Sequence, residues 1–220
     1  DANTGALIRP QGTNHADDFR PFWSQGGTQI VYDSLHMGKG KFNLYTTVLD
    51  SRYDEFLFTG SMAIIGTSPV WMDDEWIAFS ACDYWVPKER GGGSNCGIYR
   101  MPSWSGPPQL IKRGDLTMRA TDSHASQLLF MSQESGNWEV YVTSTQGGEP
   151  RNLTASPGSQ DGLATFSPDG KQVAFASNRG GVWAIWAVNL DGSGLIKLFD
   201  LPGIGVLTGD WTEERVSWGP

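Results

Sequence analysis

Residues Phe166–Gly180 read FSPDGKQVAFASNRG. Val173 and Phe175 alternate with small or polar neighbours, which places both on one face of a strand. Ahead of them stands SPDG, a turn in which Pro168 presets φ, Asp169 caps the turn and Gly170 accepts a positive φ. The stretch is a strand, a tight turn and a second strand. Its outline recurs: WSQGGTQIVYDS from Trp23, WMDDEWIAFSA from Trp71 with a turn one residue shorter, TDSHASQLLFMS from Thr121, and WTEERVSW from Trp211 with a tighter turn still. The five starts fall 45 to 50 residues apart. A fixed period of that size marks a repeat architecture.

Each unit continues in one manner. A third apolar strand follows the hairpin: FNLYTTV from Phe42, GIYRM from Gly97, WEVYVTS from Trp138 and WAIWAVN from Trp183. A turn such as LDGSG or TQGGEP precedes a short fourth strand, as in QLIKR, PRNLT or LIKLF. Four short strands, a to d, joined by hairpins and repeated every 40–50 residues or so, make the blades of an all-β propeller. A solenoid would carry capping units, and none is evident.

The stretch FSPDGKQVAFASNRGGVWAIWAVNLDGSGLIKLF, from Phe166 to Phe199, resembles the repeat of TolB-type propellers. Those repeats carry a W/F-S-P-D-G hairpin, an I/V-A-F-x-S second strand, an R-G turn, an I-Y third strand and a D-G turn. The match is fair in the unit starting at Trp23 and weaker in those starting at Trp71 and Thr121. The resemblance implies a propeller and says little about activity. TolB has six blades, and in that this chain departs from it.

The sequence predicts a single domain over 1–220, with units at about 19–66, 67–116, 117–160 and 161–205. GALIRP near the start resembles the fourth strand GLIKLF, and GDWTEERVSWGP supplies strands a and b. Residues 206–220 with 1–18 are therefore expected to share a closing fifth blade, which ties the two ends together. That blade is about one strand short of the others, so either it has three strands or the chain is cut from a longer protein.

Composition agrees with this class. The 28 glycines and 12 prolines break helices, and the ten tryptophans favour strands and supply large buried areas. The net charge is −8 with scattered basic residues, which argues against a nucleic-acid partner. No apolar run reaches the roughly 20 residues that span a bilayer. G-x-S-x-G, H-E-x-x-H, C-x-x-C and the P-loop are all missing, and GGGSNCG lacks the Lys-Ser/Thr of a phosphate cradle. Asn152-Leu153-Thr154 is a glycosylation sequon, meaningful only in a eukaryotic secretory chain.

Trp23, Trp71, Phe166 and Trp211 form a column on strand a, read as packing between neighbouring sheets. Tyr45, Tyr99, Tyr141 and Trp186 form a second column, and Phe42, Trp138 and Trp183 a third at the entry to strand c. His124 aligns with Asp169 and is read as a turn residue. What differs between units is the insertion ACDYWVPKERGGGSNCGIYRM. Cys82 ends strand b and Cys96 begins strand c, so antiparallel pairing brings them close enough for a disulfide; two free thiols are the alternative. A disulfide places the protein in an oxidising, extracytoplasmic compartment: periplasm, cell surface or medium. Tyr84, Trp85, Lys88 and Arg90 would then ride on a stapled loop suited to stacking on a sugar or seating a protein.

In propellers the d–a and b–c loops share one face. Here that face gathers His15, Asp17, Asp18, Arg20, His36, Lys41, Trp85, Asp115, Arg119, Asp161, Arg179 and Asp210. The ligand-binding set expected there is Trp85, Tyr84, Arg90, His15, His36, Asp18 and Arg119. Asp17, Asp18, Asp161 and Asp210 could hold Ca²⁺ at the channel mouth, although no contiguous metal loop is present; otherwise no cofactor is expected. The function expected is a non-catalytic, monomeric module binding a protein or peptide on the loop face. The alternatives are a carbohydrate-binding or glycoside-hydrolysing propeller, which would need two carboxyls about 5–9.5 Å apart, and a propeller gating a peptidase in a longer protein.

Overall fold

A computed structural model describes residues 18–35, 43–48, 54–56, 64–73, 75–83, 95–115, 117–201 and 211–219. The described strands form four-stranded antiparallel sheets, each in simple up-and-down order. The first holds β1 (Asp18–Trp23), β2 (Gln29–Ser34), β3 (Asn43–Val48) and β4 (Asp54–Phe56). The second holds β5 (Ile64–Trp71), β6 (Trp76–Asp83), β7 (Asn95–Pro102) and β8 (Gln109–Gly114). β9 (Arg119–His124), β10 (Gln127–Ser132), β11 (Glu139–Ser144) and β12 (Arg151–Asn152) make the third. β13 (Asp161–Phe166), β14 (Gln172–Ser177), β15 (Ala184–Asn189) and β16 (Ile196–Asp200) make the fourth. The expected all-β propeller of four-stranded blades is present. The number of blades in the closed ring is not fixed by the described residues.

The hydrophobic cores lie between blades rather than within them. Val31 and Leu44 of the first blade pack with Trp71, Phe79 and Met101 of the second. Val70, Ala78 and Ile98 of the second meet Met118, Leu128 and Phe130 of the third. Leu129, Val140 and Leu153 of the third meet Phe166, Val173 and Phe175 of the fourth. Strand alternation explains this: residues one apart on strand b face opposite neighbours. One aromatic pair also bridges strands b and c in each of the four described blades. Tyr32 faces Tyr45, Phe79 faces Tyr99, Phe130 faces Tyr141 and Phe175 faces Trp186 in register. The first three pairs stack with ring centroids 5.7, 6.2 and 5.3 Å apart. The second aromatic column of the sequence is thus one half of this repeated pair.

The a–b turns follow their sequences. Gly170 N–H donates to Ser167 O at 2.8 Å, and Gly27 N–H to Ser24 O at 2.9 Å. The third blade differs from the alignment. His124 ends β9 and pairs with Gln127, so the turn shrinks to Ala125-Ser126. Ser123, opposite Leu128, takes the place Phe166 holds opposite Val173. His124 is therefore not the counterpart of Asp169; its ring packs on Phe166, centroids 5.8 Å apart. Gly170 sits against it: a Cβ there would lie 2.3 Å from His124 Cδ2, and φ is +69°.

Cys82 and Cys96 are bonded, opposite one another on β6 and β7, as the hairpin geometry predicts. With a sequence separation of 14, reduction is expected to cost about 3 kcal/mol through restored chain entropy. Urea unfolding with and without reductant measures it, and an unchanged midpoint would refute it.

The segment expected to open a fifth blade behaves differently. Trp211–Glu213 form a short 3-10 turn, and residues 214–219 join no strand ladder. Residues 1–17 lie outside the described residues, so the shared closing blade is a proposal.

Candidate functional site

The inner strands β1, β5, β9 and β13 surround a common axis. Each carries an irregularity in its pairing with strand b: between Phe19 and Phe22, Thr67 and Val70, Leu129 and Phe130 on the partner of β9, and Gly162 and Thr165. At three of them a residue other than glycine takes a left-handed backbone: Arg20 at φ 50°, Ser68 at 52° and Leu163 at 55°. Such bulges re-aim side chains. Arg20, Ser68, Thr121 and Leu163 accordingly line the axial cavity.

Thr212, Glu214, Arg215 and Val216 line this cavity as well, and Arg215, Val216, Ser217 and Trp218 line the cleft described below. At the end where the d–a and b–c loops gather, the Trp211 ring meets Trp138 edge-on at 6.0 Å and Trp183 at 5.0 Å. Two members of the third aromatic column thus form a box around it. Glu213 follows, paired with Arg20 and lying 3.8 Å from Arg119 Nη2. Arg20 in turn donates through Nε to both oxygens of Asp33, at 3.0 and 2.9 Å. The two side chains are 5% and 0% exposed. Arg215 donates to Pro69 O at 2.8 Å and to Thr121 O at 3.2 Å, and its guanidinium lies 5.2 Å from the Phe22 ring centroid. Burial lowers its pKa to about 10, against the attraction of Asp33 and Asp122. It stays cationic at neutral pH.

The opposite end opens into a cleft of about 360 Å³, lined by Trp23, Asp122, His124, Phe166 and Trp218 among others. Asp122 ties two blades together there. It accepts from Ser123 N at 2.7 Å, Thr165 Oγ1 at 2.8 Å and Phe166 N at 2.8 Å. Burial raises its pKa above 3.8, and these hydrogen bonds oppose the shift. With the folded value above the unfolded one, the wild type gains stability as pH falls toward 3.8. Asp122→Asn, which cannot titrate and sets an NH₂ against a donor, is expected to cost about 1–3 kcal/mol at pH 7. The cost should grow near pH 4. Urea unfolding at both pH values tests this; a smaller cost in acid refutes it.

Of the residues expected at the site, Tyr84, Trp85, Arg90, His15, His36, Asp17 and Asp210 lie outside the described residues. Asp18 is exposed at the start of β1. Arg119 lines the axial cavity. Asp161 is buried and held by Arg179 at 2.7 Å. Burial raises its pKa, with Ser177 and Arg179 acting against the shift. Among the described residues no group of three or more His, Cys, Asp or Glu side chains is placed to hold a metal ion. Sequence reasoning missed Asp33, Glu213 and Arg215. For Asp33 a signal existed: it is a charge where the other units carry Ser80, Met131 and Ala176 after the strand-b aromatic. Glu213 and Arg215 gave none, because their segment was read as a hairpin.

No protein-family model matches the chain. An uncharacterized protein of Agrobacterium fabrum is 28% identical over 115 residues, which cover 52% of this chain and 37% of that protein. Among solved structures, a protein of Agrobacterium tumefaciens assigned as TolB aligns with a TM-score of 0.64 at 21% identity, covering 86% of this chain and 64% of that one. An oligogalacturonate lyase of Vibrio parahaemolyticus aligns at 0.61 with 14% identity, covering 84% and 54%. The β-propeller domain of the trilobed protease of Pyrococcus furiosus aligns at 0.58 with 12% identity, covering 85% and 56%. The chain has a TolB-like propeller fold and spans less than two thirds of each of these proteins. No helix among the described residues is long and apolar enough to cross a membrane.

Proposed function

We propose that this propeller is a non-catalytic protein- or peptide-interaction module working outside the cytoplasm, and that its partner enters the channel from the loop face. The observation that carries the proposal is the polypeptide already in that channel. Residues 212 and 214–216 line the axial cavity, and Trp211, Glu213 and Arg215 are held by two indoles, two arginines and two backbone carbonyls. A wall that offers aromatic, cationic and carbonyl contacts in sequence suits an extended peptide. The Cys82–Cys96 bond supports an oxidising compartment. Fold likeness to a lyase does not assign a reaction. Of the four carboxylates a glycosidase would draw on, Asp161 is buried against Arg179, Asp18 is exposed, and Asp17 and Asp210 lie outside the described residues.

The test is capture of a protein from native extract by the wild type and by Arg119→Glu. The expected result is one specific protein retained by the wild type and lost by the variant. No specific capture, or equal capture by both, counts against the reading.

A further inference from the structure

We infer that residues 211–219 are a built-in occupant of the partner's site, which competes for the channel with a peptide carrying an aromatic residue, an acid two places on and a base two places after that. The inference rests on the channel reading above and adds the partner's chemistry and its regulation.

Two observations carry it. The first is how the segment is held. Every inner strand is fixed by a ladder to strand b, whereas residues 214–219 join none. Side chains anchor the segment to the wall: Trp211, Glu213 and Arg215 make its directed contacts, and Val216 and Trp218 pack on the neighbouring core. A fixed blade strand is secured by its backbone; a segment docked by side chains can be exchanged for another with the same side chains.

The second observation is the order of charges on the wall. Arg20 and Arg119 converge on Glu213. Two places further, the wall offers Arg215 the carbonyls of Pro69 and Thr121, with Asp33 and Asp122 adding attraction and Arg20 repulsion. A peptide with acid and base interchanged would set a guanidinium against two arginines. The wall therefore reads order as well as composition. Glu214 and Ser217 are exposed, so those places are not read.

The probe is the N-acetylated nonapeptide Trp-Thr-Glu-Glu-Arg-Val-Ser-Trp-Gly, added to the full chain while hydrogen exchange is followed by mass spectrometry. Excess peptide is expected to speed exchange of residues 211–219 at least about tenfold, the size of a competitive displacement worth about 1.4 kcal/mol. A peptide with its third and fifth residues interchanged should do nothing. A peptide altered only at its fourth and seventh should act like the original. In a second arm, Trp211→Ala should weaken the internal occupant, so the labelled nonapeptide binds this full-length variant at least about tenfold more tightly than the wild type. Unchanged exchange at saturating peptide, equal action of the interchanged peptide, or no gain in a folded Trp211→Ala variant overturns the inference. Should that variant not fold, the exchange arm on the wild type decides alone. If exchange is unmoved while partner capture still depends on Arg119, only the competition fails and the channel reading stands. If both fail, both fall.

Discussion

Arg20→Ala is expected to lower the unfolding free energy by about 3–5 kcal/mol, one of the two largest single-site effects in the molecule. The reason is what remains after truncation. Asp33 is fully buried, and Arg20 supplies its ion pair together with two Nε contacts at 3.0 and 2.9 Å. Removing the guanidinium strands that carboxylate and also takes a partner from Glu213. Burial already pushes the Asp33 pKa upward, and Arg20 is the main group holding it down. The stranded carboxyl should then take up a proton and change its pH dependence. Replacing both partners, as in Arg20→Met with Asp33→Leu, removes both buried charges and is expected to recover most of the loss. Urea unfolding of the two variants decides. A loss under about 1 kcal/mol for Arg20→Ala would mean that the pair behaves like a solvated surface bridge.

Trp71→Ala is expected to cost about 3–5 kcal/mol, while Trp23→Ala costs under about 1 kcal/mol. The two residues occupy the same column of the repeat. Trp71 is 1% exposed, inside the core between the first and second blades. Trp23 is 52% exposed at the edge of the open cleft. Truncating the first leaves a cavity among Val31, Phe79 and Tyr99; truncating the second removes surface that water already touches. Equal losses for the two would show that Trp23 packs against something beyond the described residues.

The contrast marks what could be read from the chain. The blades were legible because hairpin turns and alternation are local, so Ser167–Gly170 and Val173–Phe175 announce their geometry without help from elsewhere. The cystine was legible because hairpin register alone brings Cys82 to Cys96. The three-residue strand Asp54–Phe56 was not, since it is short and lacks an apolar run. The tighter turn at Ala125-Ser126 was missed because alignment on the downstream strand carried the error across the turn. The channel was hardest. Its residues come from bulges in four separate strands and from a segment with no ladder, and no local pattern joins Arg20 to Glu213 or Arg215 to Pro69. Asp161 shows the converse limit: no local pattern signals its burial against Arg179.

The placement of the cores between successive blades has a consequence for how the molecule is made. A single blade has two apolar faces and nothing to cover them, whereas a second blade laid on the first covers one face of each. A chain emerging from its N-terminal side can therefore build the ring by accretion, each new sheet condensing on the exposed face of its predecessor, with sequence-near contacts at every step. The growing edge is sticky until the next blade arrives. Among the described residues, Ala174, Ala176 and Ile185 of the fourth blade belong to a cluster against which Trp211, Val216 and Trp218 pack. Those three side chains thus cover apolar surface that growth of the fourth blade leaves open.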